Sequence, residues 1–127
     1  MLLKKLDSKP TDRTPEIKFK YGKLRIWGTF VPVDPAGFCI PLYEWVNKYS
    51  NSPAPVTIVD IGLTYTRGYA MKYLEKLLHE LILLNDEQHQ VIINWHFSPD
   101  IIDVKAGEYL SRKLNHSFNF VDIDEIC

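Results

Sequence analysis

Apolar and polar positions along the chain change period several times, and each change marks an element. In EIKFKYGKLRIWGTFVP, Ile17 and Phe19 alternate with Lys18 and Lys20. Leu24, Ile26 and Gly28 then alternate with charged or aromatic neighbours. That period of two, with Tyr21-Gly22 between the runs, predicts a β-hairpin, because glycine takes a positive φ without steric cost. Leu42, Trp45, Val46 and Tyr49 repeat at helical spacing. Pro41 is expected in the first turn of that helix, where its missing N–H has no partner to lose. Asn51-Ser52-Pro53 and Pro55 end it. VTIVDIGLTY predicts a strand with Val59, Ile61 and Leu63 on one face and Ile58 on the other. From about Gly68 to Leu84 a helical stripe carries Leu74, Leu77, Leu78, Leu81 and Leu84. QVIINWHF is nearly continuous in apolar residues, as in a strand covered on both sides. PDIIDVKAGEYLSRKLN predicts a third helix with Ile102, Ala106, Tyr109 and Leu110 inward, and FNFVDI a last strand.

The predicted order is β-β-α-β-α-β-α-β. It implies a single α/β domain: a mixed sheet with an N-terminal hairpin, helices packed on it, and parallel pairing for the later strands. At fold level this order is similar to the STAS-like fold of anti-sigma-factor antagonists. Residues 1–13 are expected to form a flexible arm and residues 14–127 the domain.

Composition narrows the function more than the fold. The chain has 127 residues, enough for about one core, with a net charge of −1. Nothing in that balance points to nucleic acid or to a membrane surface. No apolar run reaches the roughly 18 residues of a membrane span, and the N-terminus lacks the apolar centre of a signal peptide. Cys39 and Cys127 lack metal-type spacing and fit a reducing cytoplasm. His79, His89, His96 and His116 are far apart, and no pair has the spacing of a helical metal site. His96 is expected to be partly buried and merely hydrogen-bonded. Asp100, Asp103 and Glu108 form an acidic face at the third helix, read as solubility and capping. Nucleotide-binding glycine motifs, hydrolase elbows and paired CxxC motifs are all missing, which favours a binding protein without catalytic residues, metal or cofactor.

The segment TYTRGY, between the third predicted strand and second helix, holds the chemistry of interest. Thr66 stands where a helix N-cap would, and a cap is worth about 1 kcal/mol. A phosphate there would meet free N–H groups and the positive end of the helix dipole. Arg67 and Lys72 flank it and are suited to a carboxylate or a phosphate. Tyr65 and Tyr69 are candidate contact residues beside them. Tyr43 and Tyr69, outside the apolar stripes, are expected to be exposed anchors. Trp27, Trp45 and Trp95 are expected in or near the core.

Four blocks, RTPEIKFKYGKLRIWG, FVPVDPAGFCIPLYEWVNKYSNSP, IGLTYTRGYAMKYLEKLL and VIINWHFSPDIIDVKAGEYL, resemble the SiaC family of bacterial regulatory phosphoproteins. The resemblance runs from Thr14 to about Asp124. It implies a non-enzymatic, cytoplasmic partner switch. In that family a SpoIIAB-like kinase phosphorylates a threonine and a PP2C-type phosphatase removes the phosphate. The resemblance implies that the unmodified protein binds and activates a diguanylate cyclase, raising cyclic-di-GMP and promoting biofilm or aggregation. Matching the family's LEYFNT segment to IGLTYT places the phosphothreonine on Thr66, with Thr64 the alternative acceptor. Tyr65 replaces an asparagine of that pattern, and Arg67-Gly68-Tyr69 replaces a serine run. The rival readings are an anti-sigma-factor-antagonist type switch and a small ligand carrier or enzyme.

Overall fold

The computed structural model describes residues 3–99, 102 and 104–126. Its elements are β1 (Leu6–Ser8), β2 (Glu16–Lys20), β3 (Lys23–Phe30), α1 (Pro35–Tyr49), β4 (Val56–Thr66), α2 (Gly68–Ile82), β5 (Gln90–Phe97), α3 (Val104–Lys113) and β6 (Asn119–Asp122), followed by a 3-10 turn over Ile123–Ile126. The strands form one mixed sheet in sequence order, β1-β2-β3-β4-β5-β6. β1, β2 and β3 pair antiparallel, and β3 to β6 pair parallel.

The expected hairpin is β2–β3, and Gly22 in its turn has φ +81°. β1 is an addition. The stretch expected to be a free arm pairs Leu6 with Phe19 and Ser8 with Ile17. The Trp45 indole also donates to the Lys4 carbonyl at 2.7 Å, tying the segment to α1. Three residues of strand are too short for a periodicity to show.

α1 also begins earlier than expected. Asp34 caps it by accepting from the Gly37 amide at 3.0 Å, Pro35 stands in the first turn, and Pro41 lies inside the helix. Asp-Pro is itself a start signal, an acceptor followed by a residue with no amide to satisfy. α3 runs over Val104–Lys113 rather than from Pro99, and Tyr109, expected inward, is exposed. Gly107 takes the inward place. A Cβ there would lie 2.5 Å from the Trp95 ring, so only glycine lets α3 settle on that tryptophan.

The strand order advances one way from β3 to β6, and right-handed crossovers then put all three helices on one face of the sheet. Burial agrees. Leu24 and Ile26, Val59, Ile61 and Leu63, and Val91, Ile93 and Trp95 face the leucine stripe of α2 (Leu74, Leu77, Leu78, Leu81) and the apolar side of α1. Each fully buried leucine contributes about 1.5–3 kcal/mol. Among the described residues, no helix covers the opposite face. β5, expected to be covered on both sides, therefore alternates buried with half-buried residues.

Candidate functional site

The parallel strands β3, β4, β5 and β6 end along one rim of the sheet, and Thr66 is the last residue of β4. It pairs with Phe30, the last residue of β3. Its hydroxyl donates to the Phe30 carbonyl at 2.8 Å, part-buried. Thr66 is thus a strand residue rather than the helix cap expected. The cap position is Arg67, in extended conformation, whose side chain makes no capping bond. The Ala70 and Met71 amides reach back to the Arg67 carbonyl at 2.9 and 3.0 Å, so α2 starts on backbone bonds alone. Its first turn presents amides with no side chain over them, directly after Thr66.

A bulge shapes this end of the sheet. Gly28 pairs with Leu63 and Thr29 with Tyr65, leaving Thr64 as an extra residue. Gly28 has φ +127°, a conformation side chains disfavour. An inserted residue breaks the alternation and re-aims the side chains beyond it. Continued alternation from Ile61 and Leu63 would turn Tyr65 inward; instead it is 48% exposed. Thr64 is exposed, and its hydroxyl shares a 3.0 Å hydrogen bond with that of Thr29.

Among the other candidates, Tyr65 and Arg67 are brought together. The Arg67 Nε donates to the Tyr65 hydroxyl at 2.6 Å, and the guanidinium lies 5.7 Å from the ring centre. Tyr69 is exposed and its hydroxyl reaches the Pro32 carbonyl at 3.4 Å, linking the α2 start to the lead-in of α1. Lys72 is exposed one turn on, with its ammonium over Tyr73 at 5.4 Å. Tyr43 is not a free anchor: it is half-buried and donates to the Tyr73 carbonyl at 2.8 Å, with the Lys76 ammonium 4.8 Å over its ring. Asp100 and Asp103 lie outside the described residues.

No signal in the sequence points to Thr29, Phe30 and Pro32, the partners of this site. They are some 35 residues away in the chain, and only the β3–β4 pairing brings them close.

The uncovered face carries a second polar cluster, also unforeseen. The Asp60 carboxylate meets the His96 Nε2 at 2.9 Å and accepts from the Asn94 amide at 3.1 Å. Burial raises the Asp60 pKa, but hydrogen bonds from His96 and Asn94, with electrostatic attraction from His96 and Lys23, together hold the group below the usual carboxylate value. Trp27 covers the pair, its ring 5.3 Å from that of His96, and lies flat on Gly62. Trp27, expected in or near the core, is half-buried on this uncovered face. His96 is partly buried and hydrogen-bonded, as expected.

Cys39 is buried, and burial pushes its thiol up to about 11, so it carries no reactive thiolate. No group of three His, Cys, Asp or Glu that could hold a metal occurs among the described residues. None of their helices is long and apolar enough to cross a membrane.

The model of the SiaC family regulatory phosphoproteins matches residues 8–123. No curated protein matches the chain in sequence. Three solved structures share its fold. SiaC of Pseudomonas aeruginosa superposes with a TM-score of 0.80 at 20% identity, over 93% of this chain and 96% of that one. Apo-SiaC from Pseudomonas aeruginosa gives 0.74 at 21% identity, over 94% and 98%. The third is the crystal structure of the diguanylate cyclase SiaD in complex with its activator SiaC, from Pseudomonas aeruginosa. A chain of it gives 0.75 at 21% identity, over 92% and 97%.

Proposed function

The chain belongs to the SiaC family of regulatory phosphoproteins, and on that premise we propose that it is a non-enzymatic switch with Thr66 as its phosphorylated residue and a diguanylate cyclase as its output. The observation that carries the proposal is the place of Thr66. Its hydroxyl is on the rim of the sheet, just before an uncapped helix start and between exposed Tyr65 and Tyr69.

A SpoIIAB-like kinase would transfer the γ-phosphoryl group of ATP to the Thr66 oxygen. The hydroxyl proton, held by the Phe30 carbonyl in the resting state, leaves in that step. A PP2C-type phosphatase would return the hydroxyl by hydrolysis. The phosphate adds about −1.5 to −2 charges and cannot donate to the Phe30 carbonyl, so the side chain must leave that bond. The nearest favourable place is the uncapped first turn of α2, with the Arg67 guanidinium beside it. The unmodified form offers Tyr65, Arg67, Tyr69 and Lys72 as a contact surface for the cyclase. This reading supports a cytoplasmic role in cyclic-di-GMP signalling. The SiaC–SiaD complex of Pseudomonas aeruginosa is a precedent for such a pairing.

The test is a phosphotransfer assay with the kinase of the same organism, followed by titration against its diguanylate cyclase. One phosphate should be added to the unmodified chain and to Thr64→Ala, and none to Thr66→Ala. Affinity for the cyclase should fall from unmodified to Thr66→Asp to phosphorylated protein. Incorporation lost in Thr64→Ala instead, or a phosphorylated form that binds as tightly as the unmodified one, would overturn the assignment.

A further inference from the structure

The uncovered face of β1–β3 holds a hollow of about 310 Å³ lined by Lys5, Lys18, Lys20, Lys23 and Arg25, with Asp7 as the carboxylate on its lining. Arg25 is held by Glu16 at 2.9 Å. The lysines are exposed. Such a concentration is not a matter of composition, because the chain has 15 basic and 16 acidic residues. Nor does the sheet account for all of it. Lys18 and Arg25 lie between Asp7 and Asp60 in the sheet register, but Lys20 lies directly opposite Lys23, and like charges at paired positions destabilise a sheet. Lysines can guard an edge strand against aggregation, but β3 is an interior strand with β2 and β4 on either side.

We propose that this hollow is a docking surface for an extended acidic segment of a partner protein, distinct from the Thr66 rim. Lys18 and Lys20, and Lys23 and Arg25, are spaced two residues apart on one face of their strands. That is about 6.8 Å, the spacing of alternate side chains in an extended peptide. Carboxylates at every second position would meet two parallel rows of cations. Nucleic acid would add base stacking on an open ring, and Trp27 offers none: one side lies on Gly62 and the Arg25 guanidinium sits 4.3 Å over the ring. Asp60 pairs with Arg25 across β3–β4. Thr66 is six residues further along β4, about 20 Å away and beyond the Debye length of about 8 Å at physiological salt. A phosphate at Thr66 therefore leaves this surface charged and accessible, and a partner docked there stays on through the switching cycle.

The probe is a fluorescein-labelled peptide of alternating glutamate and serine with four glutamates, followed by anisotropy. It should bind the full chain at low salt and weaken as salt rises. Lys18→Ser/Lys20→Ser should lose about tenfold in affinity, by analogy with two exposed ion pairs. The same charge change on the helix side, Lys48→Ser/Arg112→Ser, should leave binding unchanged, as should Thr66→Asp. No binding, equal loss in both double variants, or tighter binding of a single-stranded oligonucleotide of equal charge would overturn the proposal. Loss on Thr66→Asp would overturn the independence of the two surfaces.

Discussion

Replacing Thr66 with valine removes a hydroxyl and keeps the shape, so it isolates the 2.8 Å bond to the Phe30 carbonyl. That bond joins the last residues of β3 and β4, where the bulge at Thr64 has already interrupted the pairing. A part-buried neutral hydrogen bond contributes about 0.5–1.5 kcal/mol net. Valine and threonine are both favoured in strands, so a difference in propensity adds little to the change. For a domain of this size about 1 kcal/mol corresponds to a fall in Tm of about 4 °C. Thr66→Ser retains the donor and should stay within about 0.5 kcal/mol of the parent. Urea denaturation of the three proteins, read by tryptophan fluorescence with equal m-values, gives the comparison. Enzymatic phosphorylation also abolishes the donor, so the phosphorylated chain should lose the same increment unless the phosphate recovers it on the α2 amides. Thr66→Val as stable as Thr66→Ser would show that the hydroxyl–carbonyl bond does not hold the rim, and the account of how phosphorylation frees the side chain would fall with it.

The packing and the charges set three further outcomes. Gly107→Ala forces a Cβ to 2.5 Å from the buried Trp95 ring and should cost about 1–3 kcal/mol by calorimetry or denaturant unfolding; an unchanged midpoint would mean α3 is free to lift. The Asp60 pKa is lowered in the folded chain, so its contribution is present above the ordinary value of 3.8 and lost as pH falls through the folded one. Asp60→Asn should therefore flatten the acid limb of a stability–pH profile below about pH 4; an unaltered limb would refute that linkage. With its thiol pushed up to about 11, Cys39 should resist iodoacetamide at neutral pH in the native protein and react once unfolded, as peptide mass mapping would show.

Much of the fold is legible in the sequence because it is written locally. Period two in EIKFK and KLRI, period 3.6 in the leucines of α2, and Gly22 between two strands each report a backbone state from a few neighbours. The four motif blocks point to the family, which the match over residues 8–123 bears out. Elements with weak local signals are the ones the pattern misplaces: β1 has three residues, α1 starts on one Asp-Pro pair, and α3 leans on Gly107 where Tyr109 looks the better apolar candidate. What the tertiary structure alone decides concerns pairs far apart in the chain. Thr66 resembles a cap because its chain neighbours form a helix, whereas its hydrogen-bond partner arrives from β3 through the parallel pairing. The Asp60–His96–Trp27 cluster and the cation-lined hollow arise in the same way. Alternate positions of separate strands become neighbours on the one sheet face that three same-handed crossovers leave uncovered, a result set by topology and register that no single stretch of the chain encodes.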